Sequence, residues 1–150
     1  MLCLYIMLKF IAITICLTPK STVMALSYST LSQHFAKVKN LEVPDLGDFI
    51  GGKVDVNIDA GTFQNGCAIR MSYAFNYSGY PISSNDGAVS SGGDGKWYLY
   101  RVSDMRSFVK KTIGGTPIKG SSAENFAGKK GVIFFFWMWL GRRYWSCRLV

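Results

Sequence analysis

The sequence predicts an α+β fold, on three observations. Its segments run helix, helix, then sheet strands with one intervening helix. No strand–helix–strand unit recurs, as a wound parallel sheet would require, and there is no internal repeat. The 150 residues are 49% hydrophobic and 15% aromatic, enough for one domain with a real core and too few for two ordinary ones. That composition also excludes a disordered chain.

Each element has a local reason. Residues 28–39 read as a helix: Ser27 or Ser29 can cap it, and Leu31, Phe35 and Val38 share one face. Pro44, Gly47, Gly51 and Gly52 make the next stretch a loop. Residues 53–63 alternate briefly at Val54, Val56 and Ile58, with Asp59-Ala60-Gly61 as a turn. A second helix runs from about Cys67 to Tyr77, with Cys67, Met71, Ala74 and Phe75 inward and Gly79 and Pro81 stopping it. A Ser/Gly/Asp loop covers 83–95, and Trp97–Val102 is aromatic and β-branched, as strands prefer. Ser103 or Asp104 caps a further helix with Met105, Phe108, Val109 and Ile113 on its apolar face and Gly114-Gly115 at its end. Lys129-Lys130-Gly131 then introduces a fully apolar strand, Val132–Phe135.

The net charge is +8, and its placement matters more than its size. Residues 21–135 hold twelve Lys or Arg against nine Asp or Glu, while Lys9, Lys20, Arg142, Arg143 and Arg148 supply the rest of the basic excess. A nucleic-acid binder carries its basic patch on the folded body among aromatics, so no nucleic-acid partner is expected. Mild basicity suits an anionic cell wall. Residues 1–18 form an apolar run interrupted by Lys9, short for a membrane span, followed by a small-residue pattern at Val23-Met24-Ala25. This is a signal-like leader or an over-extended start, with Met24 as the true beginning.

The four cysteines make no framework. Cys3 and Cys16 lie in the leader, Cys67 opens a helix, Cys147 sits near the end, and no C-x-x-C pair or Cys/His cluster offers a zinc site. No disulfide, metal or cofactor is expected. Asp45, Asp48, Asp55 and Asp59 are most simply solvated loop carboxylates, without the spacing of a calcium loop. The glycines at 92–95 lack the pattern of a phosphate cradle.

Cys67 is the candidate nucleophile. A helix N-terminus carries partial positive charge that favours a thiolate, and Gly66 allows a sharp turn that leaves the Cys67 amide free to donate. On residue chemistry alone such a cysteine is more usually an inert core thiol. A cysteine hydrolase also needs an imidazole to share the proton and a group to orient it. The single histidine, His34, reads as an ordinary helix-edge residue.

Five blocks tip that balance. Ile50–Val54, Phe63–Tyr73, Asn76–Gly79, Trp97–Met105 and Gly128–Phe135 together resemble the type VI secretion amidase effectors of family 4, in the family's order and spacing. The resemblance implies a papain-like, NlpC-type fold in which a nucleophile helix packs on a mainly antiparallel sheet. It implies an antibacterial toxin, acting in the periplasm of a target cell, that hydrolyses the γ-D-glutamyl–meso-diaminopimelate amide of peptidoglycan stem peptides. Cys67 is the catalytic residue carried over, and the implied partners are the stem peptide, a cognate immunity protein and the type VI secretion machinery.

The resemblance stops short of the histidine. The family places it after the strand matching Val132–Phe135, in a segment like Gly-Trp-x-x-Ala-Thr-Gly-His-x-Asp-Leu-Trp, with an acidic partner further on. Here Trp137–Val150 contains no histidine. The expected division is a leader at 1–23, a partial amidase domain at 24–136 and an aberrant tail at 137–150, with the sheet incomplete and Val132–Phe135 exposing ladder groups. Phe134–Leu140, apolar and aromatic, is an expected aggregating segment. The tail also reads as a frame slip: dropping one base before Trp137 permits Gly-Cys-Gly-Trp-Gly-Asp-Ala-Thr-Gly-His-Val-Asp-Leu, with histidine at position 146 when the bases overlapping Ser146 read CAT. The alternatives are a catalytically silent homologue that only binds peptidoglycan or an immunity protein, and a small basic membrane-surface protein.

Overall fold

A computed structural model describes residues 26–114, 117–120, 123–139 and 142–150, and leaves the side chains of 123 and 136–145 undescribed. The expectations for the leader, with Cys3 and Cys16, and for Gly115 lie outside those residues. Five helices and four strands are present among the described residues: α1 (Tyr28–Val38), α2 (Val43–Ile50), α3 (Gly52–Asp59), α4 (Cys67–Tyr77), β1 (Val89–Ser91), β2 (Trp97–Leu99), α5 (Val102–Ile113), β3 (Val132–Trp139) and β4 (Arg142–Leu149), with a short 3-10 turn at Ala123–Phe126. The strands form two antiparallel hairpins, β1–β2 and β3–β4.

α4 is the axis of the molecule. Nine of its eleven residues are buried, so it is wetted on no broad face. Cys67, Ala68, Met71, Ala74 and Phe75 enter a cluster with Leu31 of α1, Leu99 of β2, and Met105, Phe108 and Val109 of α5. Ile69 and Tyr73 enter a second cluster with Val38, Leu46, Ile50, Val54, Ile58 and Tyr98. Each fully buried large apolar side chain contributes about 1.5–3 kcal/mol. The Phe75 and Phe108 rings meet edge to face at 5.3 Å, locking α5 across α4.

Several local expectations change. Residues 43–50 form a helix, not a loop: Pro44 sits in the first turn, where its missing N–H costs nothing. A Cβ at Gly47 would lie 2.8 Å from Asp55 Oδ1, so a larger residue there would displace that carboxylate. Residues 52–59 are also helical. Val54 and Ile58 are four apart and buried, whereas Val56, the residue that suggested alternation, is 66% exposed. Asp45, Asp48, Asp55 and Asp59 consequently lie on helices, and burial together with Asp59 and Asp48 pushes the Asp55 carboxyl up.

Gly52 turns the α2–α3 corner at φ 66°, and a Cβ there would lie 2.6 Å from the Gly92 carbonyl carbon. That approach lets the Gly93 amide donate to the Ile50 carbonyl at 3.0 Å. The 83–95 loop contains strand β1, and β2 ends at Leu99 because α5 begins at Val102. Neither Ser103 nor Asp104 caps α5, whose N-cap is Arg101. Asp104 instead accepts the Ala88 amide at 2.9 Å. Ile113, expected on the apolar face, is 48% exposed.

β3 does not lack a neighbour. It extends to Trp139 and pairs with β4 in continuous register, from Val132 opposite Leu149 to Trp139 opposite Arg142. Cys147 of β4 is 5% exposed and belongs to the first core cluster. No helix among the described residues is long and apolar enough to cross a membrane.

Candidate active site

α4 begins at Cys67 because Gly66 supplies its N-cap with φ −76° and ψ 0°, and the Arg70 amide closes the first turn onto the Gly66 carbonyl at 2.9 Å. The Gly66 backbone is one that any residue can adopt. A Cβ there would stand 2.9 Å from Leu46 Cδ2 and 3.0 Å from Arg70 Nη1, so a larger residue would displace those two side-chain ends. The Cys67 amide, expected to be free, donates to Asn65 Oδ1 at 3.0 Å. A side-chain acceptor has filled a role that an orphan helix N–H always needs filled.

Arg70 is held by the end of another helix. Its Nε donates to the Val38 carbonyl at 3.2 Å and its Nη2 to the Leu41 carbonyl at 2.6 Å. The guanidinium thereby satisfies carbonyls at the negative end of α1 while adding a positive charge near Cys67.

The Cys67 sulfur faces β4. The Cys147 thiol donates to it across 3.2 Å, and both cysteines are buried and unbridged. That donor is the largest influence on the Cys67 thiol. Burial opposes it, and the Cys147 amide, the Ser146 hydroxyl and the Arg70 charge lower it further, drawing it down to about 7. Cys147 moves the other way, pushed up by its bond to Cys67, by burial and by the Cys67 charge. The pair is asymmetric: Cys67 ionises first and Cys147 keeps its proton.

His34 is remote from this sulfur. Its ring lies 5.8 Å from that of Tyr77, at the opposite end of α4, about 15 Å along the axis from Cys67. Its Nδ1 is buried without a hydrogen-bond partner. The only imidazole of the chain therefore serves the far end of the helix, beyond reach of Cys67.

A cleft of about 770 Å³ opens on the Asn65 side of the turn. Phe63, Trp97 and Tyr100 give it aromatic walls, and Lys53 and Arg101 give it positive charge. Cys67, at 7% exposure, is not among its walls. Among the described residues no group of three His, Cys, Asp or Glu side chains could hold a metal ion.

Sequence reasoning missed two features. One is Cys147, whose place depends on a hairpin register. The other is the buried polar pair Ser72 and Asn76, four residues apart on α4. Ser72 Oγ donates to the Ala68 carbonyl at 2.8 Å and accepts the Leu99 amide at 2.9 Å. Asn76 Nδ2 donates to the Trp97 carbonyl and its Oδ1 accepts the Ile82 amide, both at 2.8 Å. Two polar residues at helical spacing inside an apolar helix were the available signal.

The sequence and the fold are similar to those of known proteins. Residues 63–147 match the family model described as type VI secretion system (T6SS), amidase effector protein 4. The crystal structure of the type VI effector Tae4 from Enterobacter cloacae is similar at 36% identity and a TM-score of 0.77, over 85% of this chain and 81% of that one. The Tae4 effector from Salmonella typhimurium, solved with its immunity protein Tai4, is similar at 39% identity and a TM-score of 0.74, over 83% and 82%. The same Salmonella effector in complex with Tai4 from Enterobacter cloacae gives 40% identity and a TM-score of 0.73, over 83% and 79%. Among curated protein sequences, none matches.

Proposed function

The chain belongs to the family of type VI secretion system amidase effectors known as Tae4, and we propose that Cys67 is its nucleophile toward the γ-D-glutamyl–meso-diaminopimelate amide of peptidoglycan stem peptides. The observation that carries this reading is the Cys67 sulfur itself, at a helix N-terminus, with donors that draw its thiol down to about 7. The adjoining cleft suits the substrate, since Lys53 and Arg101 complement peptide carboxylates and the aromatic walls cover the peptide's apolar faces. Its place of action is the periplasm of a target cell, and its partner there is an immunity protein of the Tai4 kind, as solved with the Salmonella effector.

Turnover needs more than a thiolate. After Cys67 attacks the carbonyl carbon, the amine must take a proton to leave, and a general acid useful near neutrality has a pKa near the working pH. Among the described residues Cys147 donates to the Cys67 sulfur, but its thiol is pushed up, so it holds its proton too tightly. His34 is at the wrong end of α4. With no such acid beside Cys67 among the described residues, we infer that these residues bind stem peptides without turning them over.

Position 146 is where that deficit would be met. Ser146 precedes Cys147 on β4 and its hydroxyl is among the groups that lower the Cys67 thiol, so a histidine there, as in the shifted reading frame, would bring an imidazole close to the thiolate. The test is incubation of the purified chain and of Ser146→His with disaccharide-tetrapeptide muropeptides, followed by mass analysis. The native chain should bind without dipeptide release, and Ser146→His should release dipeptide in a reaction that Cys67→Ala abolishes. Release by Ser146→His that survives Cys67→Ala would overturn the assignment. Gene sequence at Ser146 checks the frame reading separately: any codon other than TCA followed by T ends it.

A further inference from the structure

We propose that Cys67 and Cys147 form a peroxide-oxidisable dithiol, a modification site in which Cys147 resolves a sulfenic acid on Cys67 into an intramolecular disulfide. The two sulfurs lie 3.2 Å apart, so closing to a covalent bond requires a movement of about 1.2 Å. Both thiols are buried, at 7% and 5% exposure, and face one another across α4 and β4. Burial favours a small peroxide as the oxidant over a bulky disulfide reagent. The asymmetry already described assigns the roles, because the thiolate is the species that attacks.

The chemistry balances. The Cys67 thiolate attacks one oxygen of hydrogen peroxide, the O–O bond breaks, and hydroxide leaves to take up a proton. Cys67 is then a sulfenic acid. As a sulfenic acid Cys67 no longer carries the charge that held the Cys147 proton in place, so the Cys147 sulfur attacks the Cys67 sulfur while its proton passes to the departing hydroxyl, which leaves as water. Two thiols and one peroxide give one disulfide and two waters, with two electrons passing from the sulfurs to the peroxide. The bridged form holds β4 on the start of α4 and shields Cys67 from irreversible sulfinic oxidation.

This inference does not rest on the amidase reading, and its readout is covalent. The full reduced chain is treated with a several-fold excess of hydrogen peroxide, alkylated, digested without reductant and mapped by mass. Mapping is needed because Cys3 and Cys16 are further thiols. The expected result is a Cys67–Cys147 cross-linked peptide, two hydrogens lighter than its parts and released by reductant. In Cys147→Ser the cross-link should vanish and Cys67 should accumulate as sulfinic acid at least about tenfold over the native chain. The proposal is overturned if Cys67 reaches the sulfinic state while Cys147 stays alkylatable in the native chain. It is equally overturned if Cys67 pairs with Cys3 or Cys16, or if neither thiol reacts.

Discussion

The two ends of α4 are built from different materials. From Ser72 onward the helix is tied to the β1–β2 hairpin by hydrogen bonds from Ser72, Asn76 and Tyr77, the last reaching Asp94 at 2.8 Å. Asp94 is raised by burial, but the Tyr98 hydroxyl, the Lys96 amide and the Tyr77 hydroxyl outweigh this and lower it, so it stays charged as their acceptor. At the other end, Cys67 meets thiol, hydroxyl and amide donors from β4 and the charge of the Arg70 guanidinium. One end spends its polar groups on holding the helix to a strand. The other leaves a polarised sulfur whose partners can be exchanged. Stability and chemistry are thereby separated along one helix of about 16 Å.

That separation can be broken by substitution. The largest effect is expected at the chemical end: Ser146→His should bring dipeptide release to about 10²–10⁴-fold above the background measured with Cys67→Ala, the range of a positioned general acid–base, with little change in melting temperature. Phe75→Ala should cost about 3–5 kcal/mol in denaturant unfolding, because it empties the contact that joins α4 to α5. Ser72→Ala should cost about 1–3 kcal/mol by leaving the buried Leu99 amide without its acceptor, while the pH profile of Cys67 alkylation stays unchanged. A shifted alkylation profile in Ser72→Ala would mean that the two ends are coupled after all. The smallest effect is Cys147→Ala, which removes the main lowering influence on Cys67. Its alkylation midpoint should rise from about 7, cutting the rate at pH 6 by roughly tenfold per pH unit of rise.

Legibility followed the same divide. α4 could be read because Gly66, the Cys67–Met71–Ala74–Phe75 stripe and the Gly79 and Pro81 stops all agree with a helix of the observed length. α3 could not, because positions 54 and 58 satisfy both a two-residue and a helical repeat, and only tertiary packing shows that Val56 faces outward. α2 was hidden by Pro44 and Gly47, residues that usually punctuate loops. Here one starts a helix and the other makes room for α3. The place of Cys67 at the start of α4 was legible from its local frame. Its partner Cys147 was not, since that contact depends on the register of a hairpin eighty residues away.

Those sequence separations carry a consequence for assembly order. The Ser72–Leu99 bond closes over 27 residues, and the Cys67–Cys147 contact over 80. Closing the longer span costs about 1 kcal/mol more in chain entropy, and during synthesis its second strand does not yet exist when the first contact can form. The helix should therefore be anchored at its far end first and receive β4 last, like a lid laid on a finished box. In pulse-labelled exchange during refolding, the Leu99 amide should become protected before the paired amides of β3 and β4. The reverse order would mean that the thiol contact organises the chain and is not its final closure.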